Sequence, residues 1–309
     1  MNAATATSGR CQFLLVTNVM FMAQWPISFT VRWLLLCTLP GAFSQTIDRS
    51  VVQQGTTLRV QAADGINAAR MDGHIVRLFP APEGGLLGLM PIPVEQRTGQ
   101  YKLEFLDAAG AVARATPVTV ADAHYPVQNI VVSKEIAGLS LSPGEADLSA
   151  AFRKTVSETR YWAEPFELPV PNCLTSPFGV RRFQNGKPTG DFHGGLDQGS
   201  PAGTPVRAVA DGVVRLVKCW NLHGNTVGID HGQGVLTMYL HLSKFATTEG
   251  AAVKRGDVIG YVGSTGRSTG PHLHWSLYVN SEPVDPGQWI TVPAACRADP
   301  PFSARKRRS

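Results

Sequence analysis

Charge is scarce in this chain. Asp, Glu, Lys and Arg make up 17% of its 309 residues, and the net charge is +5. The excess sits at the two ends. Residues 1–44 contain Arg10 and Arg32 and no acid, and the tail holds Arg297, Arg305, Lys306, Arg307 and Arg308 against Asp299. The body between them is close to neutral. A nucleic-acid protein would spread basic residues over a folded face, so no nucleic acid is expected as a partner. Long apolar runs are missing too. The run Trp33 to Leu39 is far too short to cross a bilayer as a stable helix, and no stable membrane span is expected. Cysteine is sparse, with five residues and no C-x-x-C pair, which excludes a cysteine-built zinc site. Long helical patterns are few. What the chain does have is glycine (31), proline (22) and 43% hydrophobic residues, the composition of a β-rich protein able to bury proper cores.

The order of segments follows from local signals. Arg32, the apolar run after it and the small residues Ala42 and Ser44 read as a secretion signal over 1–44, cleaved before Gln45. A start at Met20 or Met22 would give a leader of ordinary length. The expected location is therefore exported, in the periplasm or cell envelope of a bacterium. Once the leader is gone Cys173, Cys219 and Cys296 remain, enough for one disulfide and one thiol, with the pairing open. Over 45–135, alternating runs such as Thr57-Leu58-Arg59-Val60-Gln61 and Tyr101-Lys102-Leu103-Glu104-Phe105, divided by Asp64-Gly65, Asp72-Gly73 and Ala109-Gly110, predict a small immunoglobulin-like β-sandwich. His74 and His124 fall here without metal-ligand neighbours and read as surface or loop residues. Ser142-Pro143-Gly144-Glu145 predicts a helix start with Ser142 as cap and Glu145 in the capping-box position. Leu148, Phe152 and Val156 form its expected packing stripe. This helix belongs to a linker over 136–171, whose prolines from Pro165 to Pro171 lead into a second domain over 172–290. Residues 291–309 are expected to be a disordered basic tail.

Histidine carries the chemistry. The glycine-studded turn Gly263 to Gly270 runs into Pro271-His272-Leu273-His274, where two imidazoles at i and i+2 of a strand share a face. As a phosphate cradle the turn would need Lys-Ser/Thr opening a helix, and it leads instead to Pro271 and a strand. Upstream, His193-Gly194-Gly195-Leu196-Asp197 places a histidine and a carboxylate at i and i+4 of an extended segment. Glycines at the second and third positions argue against a helix there. His241 follows the alternating run Val235 to Tyr239. Hydrolytic zinc ions take His and carboxylate ligands and leave a position to water. His193, Asp197, His241, His272 and His274 suffice for three ligands and two histidines for proton transfer. His223 and His231 sit beside glycines in apparent turns and are left outside the site.

Taken in order, Ser176-Pro177-Phe178-Gly179-Val180-Arg181, His193 to Asp197, Gly224-Asn225 to His231-Gly232, Tyr239 to Leu242 and Gly263 to His274 resemble the lysostaphin-type zinc metallopeptidases. Those enzymes cut peptide cross-bridges in bacterial cell walls. The resemblance implies one zinc ion on His193, Asp197 and His274, catalytic roles for His241 and His272, and peptidoglycan peptides as substrate. Phe183 to Phe192 lacks the tyrosine that assists in some relatives. Gly203 to Val214 and Val253 to Gly260 resemble the folded-over hairpins of lipoyl and biotinyl carrier domains, which implies a C-terminal β-sandwich of such hairpins. The same resemblance admits a catalytically silent wall-binding or hydrolase-activating module, against which the filled ligand set argues. It also admits a latent enzyme whose upstream region covers the groove.

Overall fold

The computed structural model describes residues 45–291. The expected leader, Cys296 and the basic tail beyond Thr291 lie outside the described residues. The protein is mainly β. A pair of sheets in the upstream region shares one core. One orders the strands Thr46–Ile47, Thr57–Ala62, Leu86–Pro91 and Phe79–Pro80; the other orders Val51–Gln53, Val112–Ala121, Gly99–Asp107, Ile66–Met71 and His74–Arg77. Leu58, Val60, Met71, Leu103 and Phe105 fill the space between them. His74 opens a strand half-buried, and His124 is exposed with left-handed backbone (φ 53°).

The C-terminal region is built on an eight-stranded sheet. Its order is Leu174–Ser176, Leu196–Gly199, His272–Val279, Val235–Leu242, Asn225–Gly232, Gly212–Cys219 and Ala252–Val253, with Glu282–Val284 paired to the His272–Val279 strand. A small sheet of Pro205–Arg207, Val258–Tyr261 and Lys244–Phe245 lies nearby. Val235–Leu242 is buried along its whole length because both of its faces are covered. Val235, Tyr239 and Leu242 join Trp275, Leu277 and Val279 in the main core. Leu236, Met238 and Leu240 face the other way, toward Phe152. A third sheet orders Val127–Ile130, Arg181–Gln184 and Lys187–Phe192, and its first two strands are parallel.

The helix differs from expectation. It spans Glu145–Arg153, begins after Gly144 in a left-handed conformation, and has no side-chain cap. Ser142 instead donates its N–H and its Oγ–H to Glu145 Oε2, at 2.8 and 2.7 Å, so only the returning half of the capping box forms. The expected stripe holds only at Phe152, which is buried. Leu148 and Val156 are 44% and 47% exposed, and Val156 lies beyond the helix end. Glu145, Ser149 and Phe152 are the buried residues, because the carboxylate satisfies loop N–H groups and thereby turns the helix. Phe152 covers Gly228, where a Cβ would come within 2.8 Å of its ring.

The proline run after the helix is packed. Phe166 and Val170 are buried in the main core together with Trp162, and Phe166 N–H donates to Trp289 O at 2.6 Å. Leu87, Leu89 and Val94 of the upstream region reach the same core. Cys173 is disulfide-bonded, and Cys219 is an exposed free thiol.

Candidate active site

His272 and His274 alternate with Leu273 on one strand, so both rings lie on one face while Leu273 enters the core. Asp197 stands directly opposite His274 on the neighbouring strand. His193 and Asp197 do not share a strand as the spacing suggested. His193 lies just past the Lys187–Phe192 strand, and the chain bends at Gly195 before Leu196–Gly199 begins. A Cβ on Gly195 would strike the Trp275 carbonyl and come within 2.7 Å of His274 Nε2. The bend therefore needs glycine, and it returns Asp197 to His193.

Strict alternation would point His241 into the core with Val235 and Tyr239. The structure avoids this with an irregularity in pairing between Asn225 and Val227, opposite Leu242 and Tyr239. His241 adopts φ 61°, left-handed and costly for a non-glycine residue. The extra residue turns His241 onto the face of His272 and His274, and Leu242 regains the core. His241 N–H donates to His223 O at 3.2 Å, and Asn225 Nδ2 donates to Leu242 O at 2.9 Å, which hold the bulge.

Three atoms converge. His193 Nε2 lies 2.9 Å from Asp197 Oδ1 and 3.0 Å from His274 Nδ1, and the latter lies 2.8 Å from Asp197 Oδ1. Their protonation follows from what sits behind them. The Pro177 carbonyl, 2.7 Å from His193 Nδ1, can only accept, so Nδ1 carries the hydrogen and Nε2 offers a lone pair. A proton on His274 Nδ1 would serve the carboxylate, but His193 Nε2 and Asp197 Oδ1 would still face each other as two acceptors. A cation at the common centre removes that conflict. Ser276 Oγ, 2.9 Å from His274 Nε2, is placed to accept the Nε2–H that frees Nδ1. The donor set of two imidazoles and one carboxylate suits zinc. Among the described residues this is the group able to hold a metal.

Charge follows burial. Burial alone would raise the Asp197 carboxyl, but without a cation between them, protons on the facing nitrogens of His193 and His274 hold it well below the usual carboxylate range. Burial pushes His274 down to about 4 against the opposing pull of Asp197. Burial, and then the neighbouring His274 and His272, push His241 down to about 3. His241 and His274 are therefore neutral near pH 7.

His241 and His272 flank the cluster. Their ring centroids are 4.9 Å apart, and His241 is 6.1 Å from His274. Each donates Nδ1–H to a backbone carbonyl 2.8 Å away, His241 to Thr265 and His272 to Gly270. In neutral rings Nε2 is left to act, and that of His272 lies 3.9 Å from Asp197 Oδ1. All five residues line one cavity of about 530 Å³.

The same cavity contains residues that sequence reasoning missed. His223, which the sequence places outside the site, lines it, with Nδ1–H donated to the buried Glu145 at 2.5 Å. Tyr278, on the face of His272 and His274, lines it as well. Arg182 reaches Asp197, and the doublet Arg181-Arg182 is its only signal: adjacent residues on a strand face opposite ways. His231 lies in the Asn225–Gly232 strand rather than a turn. It is fully buried between the Asp211 carbonyl and Thr237 Oγ1, away from the cluster.

Residues 191–286 match the family model for peptidase family M23. The crystal structure of a peptidase M23 from Pseudomonas aeruginosa is 31% identical, with a TM-score of 0.62, over 79% of this chain and 96% of that one. The chain belongs to peptidase family M23. Among its curated relatives, the DD-carboxypeptidase/endopeptidase Mpg of Neisseria meningitidis serogroup B is 46% identical over 138 residues, 44% of this chain and 32% of that protein. The peptidoglycan DD-endopeptidase ShyA of Vibrio cholerae serotype O1 is 44% identical over 112 residues, 36% of this chain and 26% of that protein. The alignments thus span about a third or less of these relatives' length.

Proposed function

We propose that this M23 chain is a zinc metalloendopeptidase that hydrolyses peptide cross-links of bacterial peptidoglycan. The observation that carries the reading is the convergence of His193 Nε2, Asp197 Oδ1 and His274 Nδ1, three ligand atoms within 3.0 Å of one another. The relatives named as peptidoglycan endopeptidases supply the substrate class.

His193, Asp197 and His274 would hold one zinc ion. Bound there, zinc supplies a water acidified to a pKa of about 7 and polarises the scissile carbonyl. The chain's own groups handle the protons. His272, anchored through Nδ1–H to Gly270, accepts a proton at Nε2 or orients the attacking oxygen. His241, neutral and anchored through Nδ1–H to Thr265, presents Nε2 to the substrate carbonyl or to the leaving amine. Leu240 and Tyr278 line the same cavity.

The same reading takes residues 45–135 as an immunoglobulin-like unit, 136–171 as the helix-bearing connection and 172–290 as the metallopeptidase unit. The signal pattern over 1–44 supports export to the periplasm or cell envelope. Zinc analysis and mass spectrometry of digested cross-linked muropeptides test the proposal together. Stoichiometric zinc and chelator-sensitive cleavage of a cross-link are expected. Cleavage that survives full removal of metal would overturn it.

A further inference from the structure

The carboxylate of Asp197 divides its two oxygens. Oδ1 points at His193 and His274, whereas Oδ2 accepts a hydrogen bond from Arg182 at 3.1 Å. Arg182 belongs to the strand Arg181–Gln184, where alternation sends its neighbour Arg181 to Glu95 of the upstream region and turns Arg182 into the site. Thr189 Oγ–H donates to the Arg182 carbonyl at 2.9 Å and steadies that strand against its partner. The same guanidinium nitrogen lies 3.5 Å from Ser176 Oγ, which in turn lies 3.4 Å from His193 Nδ1. One cation thus ties together the surroundings of two of the three converging groups.

A free carboxylate beside a metal ion can offer one oxygen or two. Here the second oxygen is already engaged in a charge-assisted hydrogen bond, worth more than a neutral one and directional because the guanidinium is planar. Turning Asp197 to present both oxygens would break that bond and leave a partly buried guanidinium without its counter-charge.

We infer that Arg182 is a positioning residue that restricts Asp197 to one oxygen toward the ion and so keeps a coordination position open for water and substrate. The inference rests on reading the cluster as a metal site. Its consequence is a difference in coordination number, which a merely structural role for Arg182 would not produce.

The test replaces zinc with cobalt(II), whose visible absorption is strong in four-coordinate sites and weaker in five-coordinate ones. Full-length Arg182→Gln and Arg182→Lys proteins are compared with wild type, with folding checked by circular dichroism. Arg182→Gln should show a weaker visible band and a kcat lower by about 10- to 100-fold, the range typical for loss of a ligand's hydrogen-bond partner. Arg182→Lys, which keeps the charge and one donor, should recover some of both. An unchanged cobalt spectrum in whichever variant folds would overturn the inference while leaving the metal site intact. Wild-type protein that takes up no cobalt would overturn the metal reading, and this inference with it.

Discussion

The ring of Tyr125 packs directly on Gly179, where the backbone turns left-handed (φ 79°) and a Cβ would collide with the ring. Tyr125 donates its hydroxyl to the Gln54 carbonyl at 2.6 Å. Gly179 N–H donates to His193 O at 2.8 Å, and His193 N–H to Val180 O at 2.9 Å. The upstream region of the chain therefore braces the segment that carries the first histidine of the cluster.

Gly179→Ala should cost about 2 kcal/mol or more, from strain at positive φ and from the collision. For a domain of this size that lowers Tm by roughly 4–8 °C. Zinc content should fall with it, because relieving the collision displaces the 179–180 backbone that holds His193. Tyr125→Ala opens the space, so the double variant should lose less than the sum of the singles. Strictly additive losses would show that the two residues do not press on each other.

Metal binding and proton transfer should separate by residue. Alanine at His193, Asp197 or His274 removes one of three ligands, and zinc and activity should fall together. Alanine at His241 or His272 should leave zinc bound while lowering the rate by about 100- to 10,000-fold. Elemental analysis and muropeptide turnover on the same samples decide this. Zinc lost from His272→Ala would mean that the two strand histidines have exchanged roles.

Stability should depend on His231 at mildly acidic pH. Burial pushes this ring down to about 4 from an ordinary value of 6.5. The unfolded chain then binds a proton across that interval and the folded one does not, so stability falls as pH drops from about 6.5 to about 4. The loss attributable to this group is about 3 kcal/mol, nearly complete at pH 4 and flat below it. Denaturant midpoints at several pH values should show a shallower slope in His231→Asn than in wild type. Parallel slopes would remove His231 as the cause.

Glu145 should act on the site from behind. Burial alone would raise its carboxyl, but hydrogen bonds from Ser142 and His223 bring it down to about 2. It fixes the 221–223 bend through His223 N–H at 3.0 Å, and the His223 carbonyl accepts from His241 N–H. Glu145→Ala should therefore keep its zinc and lose up to about 100-fold in kcat through misplacement of His241. Unchanged kcat would show that the bulge at His241 holds without it.

The chemistry-bearing residues are legible because their spacing is local. The period of a strand puts His272 and His274 on one face whatever the rest of the chain does, and the glycines before Asp197 announce a non-helical segment. The helix is harder to read. Leu148, Phe152 and Val156 have the right spacing, yet Glu145 is the residue that goes inside, because four neighbouring donors make a buried carboxylate less costly there than exposed leucine. The prolines from Pro165 to Pro171 suggest a linker, and Phe166 and Val170 between them find a core to fill.

By itself the sequence determined the mainly β character, the order of the histidine-bearing segments and the same-face pairing of His272 with His274. Each of these follows from backbone geometry over a few residues. Only the tertiary structure decided that His193 Nε2, Asp197 Oδ1 and His274 Nδ1 meet within 3.0 Å, that His241 leaves the core through a left-handed bulge, and that Arg182 takes the second oxygen of Asp197. These depend on sheet register and on which donors lie across a buried space. A one-residue shift in either would send the same side chains to the opposite face.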